Sequence, residues 1–319
     1  MSYQRRALRR DRLLHCLDEA LPTGVALVVA PVGSGKTTLL EQWTDRWARP
    51  VRWVDASDPT DVRSLTTQTI TSSGPRGSCT VVIDDADGIG SDDIEFVQHF
   101  IERATPSVTV LVASRTMPAF NLAHREFPTP VLITGDDLRF RPREVAQLYR
   151  DVYGATINGA AAAQLARETD GWAAALHLHH LAQGSRPRPS SAAPHALTMN
   201  DLYLQDYLTR EVLRPLPPPL VHFLRLTSVF DMVTPGRCDE LLGWTGSRQV
   251  LLELARREGL VRRDSADPEV FHYNSVLRDL LRVQLREQLG TDRFRTVRAS
   301  AIDVLARAGV PREEAAARA

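Results

Sequence analysis

Lysine is almost missing from this 319-residue chain: of its 39 basic residues only Lys36 is a lysine. A sequence that uses arginine everywhere else, in keeping with a GC-rich coding bias, keeps lysine where a compact ammonium is needed. Cysteine is also scarce. Cys16, Cys79 and Cys238 are scattered and odd in number, which excludes a disulfide framework and a metal knuckle. Net charge is absent too: 39 basic residues balance 39 acidic ones, so no global field marks a binder of nucleic acid or of membrane surfaces. There is no run of about twenty apolar residues and no charged-then-apolar leader, which argues against membrane insertion and secretion and leads to the expectation of a soluble cytoplasmic protein. The nine histidines are scattered. His177 and His180 share a helical face with no second ligand motif, so these two and His179 read as surface or interdomain residues. The length suits two or three domains, each able to bury a core.

What is present centres on one stretch, Ala30-Pro31-Val32-Gly33-Ser34-Gly35-Lys36-Thr37-Thr38. Before it, Val25 to Ala30 is an apolar run of strand length. After it, Leu39 to Trp47 is apolar at helical spacing and stops before Pro50. Strand, glycine loop and helix are the context that a phosphate-binding loop needs. Gly33 and Gly35 let the backbone curl so that several N–H groups face one anion, and the new helix adds its positive end. Lys36 reaches the outer phosphates, and Thr37 offers a hydroxyl to Mg²⁺. Pro31, Val32, Ser34 and Thr38 complete the candidate loop. Against the pattern GxxxxGK[ST], the first glycine is Ala30.

Residues 1–20 carry Arg5, Arg6, Arg9, Arg10 and Arg12 and then turn amphipathic at Leu13, Leu14 and Leu17. They read as a solvated helix face or, because they lead into the first strand, as placing Arg10 and Arg12 beside a nucleotide. Val51 to Asp55 is a second strand, followed by a weak helix from Leu65 to Ile70 and a loop from Ser72 to Ser78. Thr80 to Ile83 then runs into Asp84-Asp85-Ala86-Asp87, which puts carboxylates at the C-terminal edge of a strand, where open parallel sheets bind ligands. In this setting Asp84 holds Mg²⁺ through water and Asp85 polarises the attacking water. A helix through Ile94 to Ile101, the strand Val108 to Ala113 ending in Ser114-Arg115, and Val131 to Ile133 complete a doubly wound parallel α/β sheet. Arg115 at its strand end can sense a terminal phosphate.

From Leu138-Arg139-Phe140 the character is helical: Arg143 to Tyr153, Ala160 to Thr169 and Trp172 to Ala182, then a Pro/Ser/Arg-rich linker. Helices from Asn200 to Val212, Pro218 to Val229, Thr234 to Leu242 and Ser247 to Glu258 follow. A hairpin then pairs Leu260–Arg263 with Val270–Tyr273, and another helix starts at Ser275. Helix, hairpin, helix is the layout of a winged helix. The expected domains are a P-loop nucleotide-binding domain over 1–137, an all-helical domain over 138–183, a linker over 184–199, a winged-helix domain over 200–289, and the start of a helical repeat region over 290–319.

In this order the pieces resemble the MalT-like STAND ATPases, the signal-transduction ATPase module of large LuxR-type transcriptional regulators. The motifs that carry the resemblance are Arg10-Asp11-Arg12-Leu13-Leu14, the loop with its leading Ala30-Pro31, Asp84-Asp85, Ala113-Ser114-Arg115, Asp137-Leu138-Arg139-Phe140, Asp170-Gly171-Trp172 and Tyr207 to Leu213. The resemblance implies a regulatory ATP/ADP switch with Mg²⁺ and slow hydrolysis. ADP would hold it closed between its domains; inducer and ATP would open it to self-associate. It also implies that Gly171, Trp172 and the residue after them lie near the nucleotide, and that the winged helix supplies a contact to the ADP phosphate. Two positions depart from the family pattern. Gly-Trp-Pro is here Gly171-Trp172-Ala173, and the usual histidine of a Tyr-His element aligns with Asn274, so ADP is expected to be held less tightly.

The residues Ser300 to Leu305, Gly309 and Glu313 to Ala315 look like the first helical hairpin of the sensor repeats, through which an unknown inducer would act. A solenoid cannot stop after one unit without exposing an apolar face, so a fragment or a shortened family member without an effector helix-turn-helix is expected. An alternative function is a DNA-binding module that uses Arg248, Arg256, Arg257, Arg262 and Arg263 of the winged helix beside a vestigial nucleotide site. Glu253, Glu258, Asp264 and Asp267 dilute that patch, so direct DNA binding by this chain is not expected. A fast small-molecule kinase would need an acceptor site and lid that nothing here supplies.

Overall fold

In the computed structural model of the protein, residues 7–19, 24–46, 50–65, 79–104, 108–184, 202–257, 261–264 and 266–318 are described. The expected helix over 66–70, the loop over 72–78, Arg5, Arg6 and Gly259 lie outside them. So does the expected linker except for Gly184, which closes a helix.

The chain forms two compact units, Met1–Phe140 with Ala146–Thr156, and Arg141–Val145 with Ile157–Ala319. The first is built on a five-stranded sheet of β1 (Val25–Val29), β2 (Val51–Asp55), β3 (Cys79–Asp84), β4 (Val108–Ser114) and β5 (Val131–Thr134), in the order β2-β3-β4-β1-β5. Every strand pair is parallel, so each connection must cross over the sheet. The helices on those crossovers cover both faces, which is why β1, β3 and β4 are apolar and buried almost throughout.

Side-chain alternation sorts the core into two layers. On one face Val25, Leu27, Val81, Ile83, Val110 and Val112 pack with Val97, Phe100 and Ile101 of α4 (Ser91–Ala104). On the other, Ala26, Val28, Val82, Leu111 and Ala113 pack with Leu39, Leu40 and Trp43 of α2 (Lys36–Thr44) and Leu13, Leu14 and Leu17 of α1 (Asp11–Asp18). The amphipathic stretch expected at Leu13, Leu14 and Leu17 therefore buries its leucines, while Asp11 and His15 of the same helix stay exposed. Trp43 Nε1 donates to Asp18 Oδ1 at 2.9 Å, tying the ends of α1 and α2. The short α3 (Pro59–Arg63) follows β2.

Helix α5 (Pro142–Asp151) contributes to both units. In the second unit, α6 (Gly159–Glu168), α7 (Ala173–Gly184) and α8 (Leu202–Tyr207) precede α9 (Pro218–Thr227), α10 (Pro235–Leu242) and α11 (Ser247–Arg257). The hairpin of β6 (Val261–Arg263) and β7 (Phe271–Tyr273) is antiparallel, and Val233 bridges to Phe271 as a third strand position. The Tyr273 hydroxyl is buried at 2.7 Å from Thr227 Oγ1, which locks the hairpin onto α9. Helix α12 (Ser275–Arg307) breaks at Gly290, whose φ of 75° and ψ of 164° are not helical, and α13 (Arg312–Arg318) folds back on its second half.

Two expectations are corrected here. The single helix expected from Asn200 to Val212 is α-helical only to Tyr207 and continues as a π-helix over Leu208–Leu213. Periodicity alone cannot show such widening, because the apolar residues still fall on one side. Of the histidines expected to be surface or interdomain residues, His177 is exposed, whereas His179 is buried and extends the stripe of Trp172, Ala175 and Leu176 at helical spacing.

Candidate functional site

The site grows from the C-terminal edge of the sheet. The N–H of Ala30 donates to the Ser114 carbonyl at 3.1 Å, which pins the start of the loop to the end of β4. The chain then turns, with the Ser34 N–H donating to the Pro31 carbonyl at 3.4 Å, and enters α2 at Gly35. Gly33 has φ of 70° and Gly35 of 89°, left-handed conformations that a side chain would strain. Space does not add to that requirement at Gly35: a Cβ there would sit 3.5 Å from the Arg10 guanidinium, an ordinary van der Waals contact.

Lys36 is buried, and its ammonium donates to the carbonyls of Ala30 at 2.9 Å and Pro31 at 3.2 Å. Burial lowers its pKa, against the pull of Asp87, Asp85 and Asp84, which raise it. A buried cation held by neutral carbonyls inside a curl of left-handed glycines is what an anion-binding loop requires.

Across the sheet edge, Thr37 Oγ1 donates to Asp84 Oδ2 at 2.8 Å. Asp84 Oδ1 in turn accepts the N–H of Asp85 at 3.0 Å. Asp85 adopts φ of 51°, uncommon for a residue other than glycine, at the start of a 3₁₀ turn over Ala86–Gly88. Its pKa is raised, first by burial and then by Asp84 and Asp87, with Arg115 and Lys36 pulling the other way. The turn carries Asp87 back toward β4, where its Oδ1 accepts the Arg115 N–H at 2.9 Å and its Oδ2 lies 3.6 Å from Arg115 Nε. Among the described residues no group of three or more His, Cys, Asp or Glu side chains could hold a metal ion. A divalent cation at Thr37 and Asp84 would thus take most of its ligands from a bound phosphate and water.

Arg10 and Arg12 fasten α1 to the segment after β5. Arg10 is buried, donates to the Leu138 carbonyl at 2.6 Å, and lies 4.5 Å from the centre of the Phe140 ring. Arg12 donates to the carbonyls of Asp137 at 2.7 Å and Arg139 at 2.8 Å. Both arginines thus hold the segment after β5 through backbone carbonyls, and the Arg10 guanidinium also lies beside Gly35 of the phosphate loop.

The first unit thus gathers Arg10, the loop from Pro31 to Thr38, Asp84, Asp85 and Arg115. Gly171, Trp172, Ala173 and Asn274 belong to the second unit. There Asp170 (φ 50°) and Gly171 (φ 63°) form a left-handed turn before α7, and Ala173 is its first residue. Trp172 is buried with its ring 5.9 Å from that of Tyr207. Asn274 caps α12: its Oδ1 accepts the N–H groups of Val276 at 3.1 Å and Leu277 at 3.2 Å. Sequence reasoning gave Asp87 no role. The signal was available only as a third acid that a short turn could swing back to the neighbouring strand.

Residues 5–124 match the family model "Novel STAND NTPase 5", and residues 209–293 match the "MalT winged helix domain". Over 324 aligned residues the chain is 27% identical to the HTH-type transcriptional regulators MalT of Yersinia pestis (strain Pestoides F) and Yersinia pseudotuberculosis (serotype O:3), covering 89% of this chain. The chain is similar to the MalT-like STAND ATPases over most of its length. It spans 36% of the length of those MalT relatives. The Walker-type ATPase of Pyrococcus abyssi superposes with a TM-score of 0.63 at 14% identity, covering 88% of this chain and 97% of that one, a likeness of fold. For this MalT-like chain, the P-loop fold implies nucleotide binding, with a divalent metal as its usual companion. Among the described residues no helix is long and apolar enough to cross a membrane.

Proposed function

We propose that the chain is the ATP/ADP-dependent switch of a signal-responsive transcriptional regulator in the cytoplasm, hydrolysing ATP slowly and closed by ADP. The observation that carries this reading is the 2.8 Å bond between Thr37 and Asp84, which joins the phosphate loop to an acid from β3, on the far side of β4. With the buried Lys36 beside it, the donor set fits a Mg²⁺–nucleotide: N–H groups and ammonium for the phosphates, hydroxyl and carboxylate for the cation. The Mg²⁺ would offset charge on the phosphates.

In this reading Pro31, Val32, Gly33, Ser34, Gly35, Lys36, Thr37 and Thr38 cradle the phosphates. Asp85 orients the attacking water and Arg115 answers the charge on the terminal phosphate. Arg10 faces the nucleotide, and Arg12 braces the segment that holds Arg10. Gly171, Trp172 and Ala173 serve the base side, and Asn274 offers its amide N–H₂ to the ADP phosphate while its oxygen stays on the helix. Inducer and ATP favour an open form that self-associates. An inducer would act through sensor repeats like those the last helices resemble.

The alternative, DNA binding through the winged helix, is weakened by the acids interleaved with its arginines, Glu253, Asp264 and Glu269 among them. Arg248 pairs with Glu269 at 2.7 Å, and Arg263 donates to the Pro268 carbonyl at 2.6 Å. Identification of the nucleotide that co-purifies, with small-angle scattering before and after adding ADP, tests the switch. ADP should give a more compact profile; identical profiles contradict a nucleotide-controlled closure.

A further inference from the structure

Asp87 does two different things with one carboxylate. Its Oδ1 holds the end of β4, accepting the Arg115 N–H at 2.9 Å with the Ser114 hydroxyl at 3.5 Å. Its Oδ2 faces the Arg115 guanidinium at 3.6 Å, outside hydrogen-bond distance. The backbone anchor is tight and the side-chain pairing is loose. The carboxylate is itself well fixed. The Gly88 N–H donates to the Asp85 carbonyl at 2.8 Å, and a Cβ on Gly88 would meet the Ser57 backbone at 3.0 Å, so the 3₁₀ turn is seated against the segment after β2. The anchored strand end also reaches the phosphate loop, because the Ser114 carbonyl accepts the Ala30 N–H at 3.1 Å.

We propose that Asp87 is the positioning residue for Arg115: it fixes the backbone of the strand end and stores the guanidinium until the terminal phosphate of a nucleoside triphosphate takes it over. A terminal phosphate carries more negative charge and more acceptor oxygens than a carboxylate, so it outcompetes a contact as long as 3.6 Å. The bond at 2.9 Å keeps the base of the side chain in place during the exchange. ADP lacks the group that draws Arg115 away, so the pair persists with ADP and opens with ATP. The exchange makes Arg115 a discriminator between the two nucleotides, with Asp87 setting its aim. This inference rests on reading the loop around Lys36 as a nucleotide site.

The test is calorimetric titration of the whole chain with β,γ-imido-ATP and with ADP, both with Mg²⁺, for wild type, Asp87→Ala, Asp87→Asn, Arg115→Ala and the double alanine variant. Asp87→Ala should weaken the triphosphate analogue about tenfold and change ADP by less than about twofold. Asp87→Asn keeps a neutral acceptor for the Arg115 N–H and removes the competing charge, so it should bind the analogue at least as tightly as wild type. In the Arg115→Ala background, Asp87→Ala should have no further effect. A purely structural role would instead lower both affinities together and persist without Arg115. That result, an Asn variant as weak as the Ala variant, or an Ala variant as tight as wild type, overturns the proposal. Lys36→Ala separates the two levels. If it still binds ADP, the nucleotide-site reading itself fails; if it loses ADP while the Asp87 variants misbehave, only the present proposal fails.

Discussion

The Ser275 N–H donates to Asp170 Oδ2 at 3.0 Å, and the Ser275 hydroxyl donates to the Glu168 carbonyl at 2.9 Å. One residue at the start of α12 is thus gripped twice by the turn that follows α6. With Asn274 taking the next two N–H groups, the first three donors of α12 are all satisfied by side chains. The left-handed Asp170 is therefore a helix cap supplied from more than a hundred residues away.

Replacing Asp170 with alanine should cost about 1–3 kcal/mol, because a part-buried N–H loses a charged acceptor and alanine must adopt a positive φ. Asp170→Asn keeps an acceptor and tolerates the left-handed conformation, so it should recover most of that loss. Urea denaturation followed by circular dichroism gives both numbers. Equal destabilisation by Ala and Asn would mean that the contact to Ser275 is not what holds the turn.

Asn274→His separates stability from affinity. Histidine is a poorer cap than asparagine, so the variant should lose about 1 kcal/mol of stability. An imidazolium facing a phosphate would tighten ADP by about five- to tenfold at pH 6, and the gain should fade as the ring deprotonates. Thermal shift and calorimetry report these separately. A variant that loses stability and gains no ADP affinity at pH 6 would show that position 274 serves the helix and does not meet the nucleotide.

His180 gives a pH dependence. Burial lowers its pKa, with His177 and His179 adding to the effect. The unfolded chain then takes up the proton first, so folding is favoured above the ordinary histidine pKa of about 6.5 and loses stability as pH falls from there toward the lower folded value. His180→Gln should flatten the melting temperature between about pH 7.5 and 5.5. A slope unchanged from wild type would place the titrating group elsewhere.

Much of the first unit was legible because its physics is local. Buried parallel strands must be apolar runs, and Val25–Val29, Cys79–Asp84 and Val108–Ser114 were readable as such within a residue or so. Lys36 stood out as the chain's one lysine. What could not be read are relationships that need the fold. The 3₁₀ turn that brings Asp87 to Arg115, the cap on Ser275 from Asp170, and the carbonyls that occupy Arg12 join residues whose spacing in sequence carries no signal. The π-helix at Leu208–Leu213 was hidden for a related reason: one extra residue per turn leaves the apolar pattern nearly intact.

The roles of the paired acids are separable in kinetics. Asp85→Asn should leave nucleotide affinity within about twofold and suppress turnover, since its work lies in the transition state. Asp84→Ala removes the acceptor of the Thr37 hydroxyl and should weaken binding only when Mg²⁺ is present. Titrations with and without EDTA, beside single-turnover hydrolysis, check both. Equal loss of binding in the two variants would contradict the division.

The most direct measurement is calorimetric binding of ADP and ATP, with Mg²⁺, to wild type and Lys36→Ala. Charge-assisted contacts to phosphate contribute roughly 1.5–3 kcal/mol each, about ten- to a hundredfold in affinity, and Lys36 can make more than one. The variant should keep the circular dichroism spectrum of the wild type and lose at least tenfold in affinity for both nucleotides. A folded variant that binds them as tightly as the wild type would contradict the assignment of this loop as the nucleotide site.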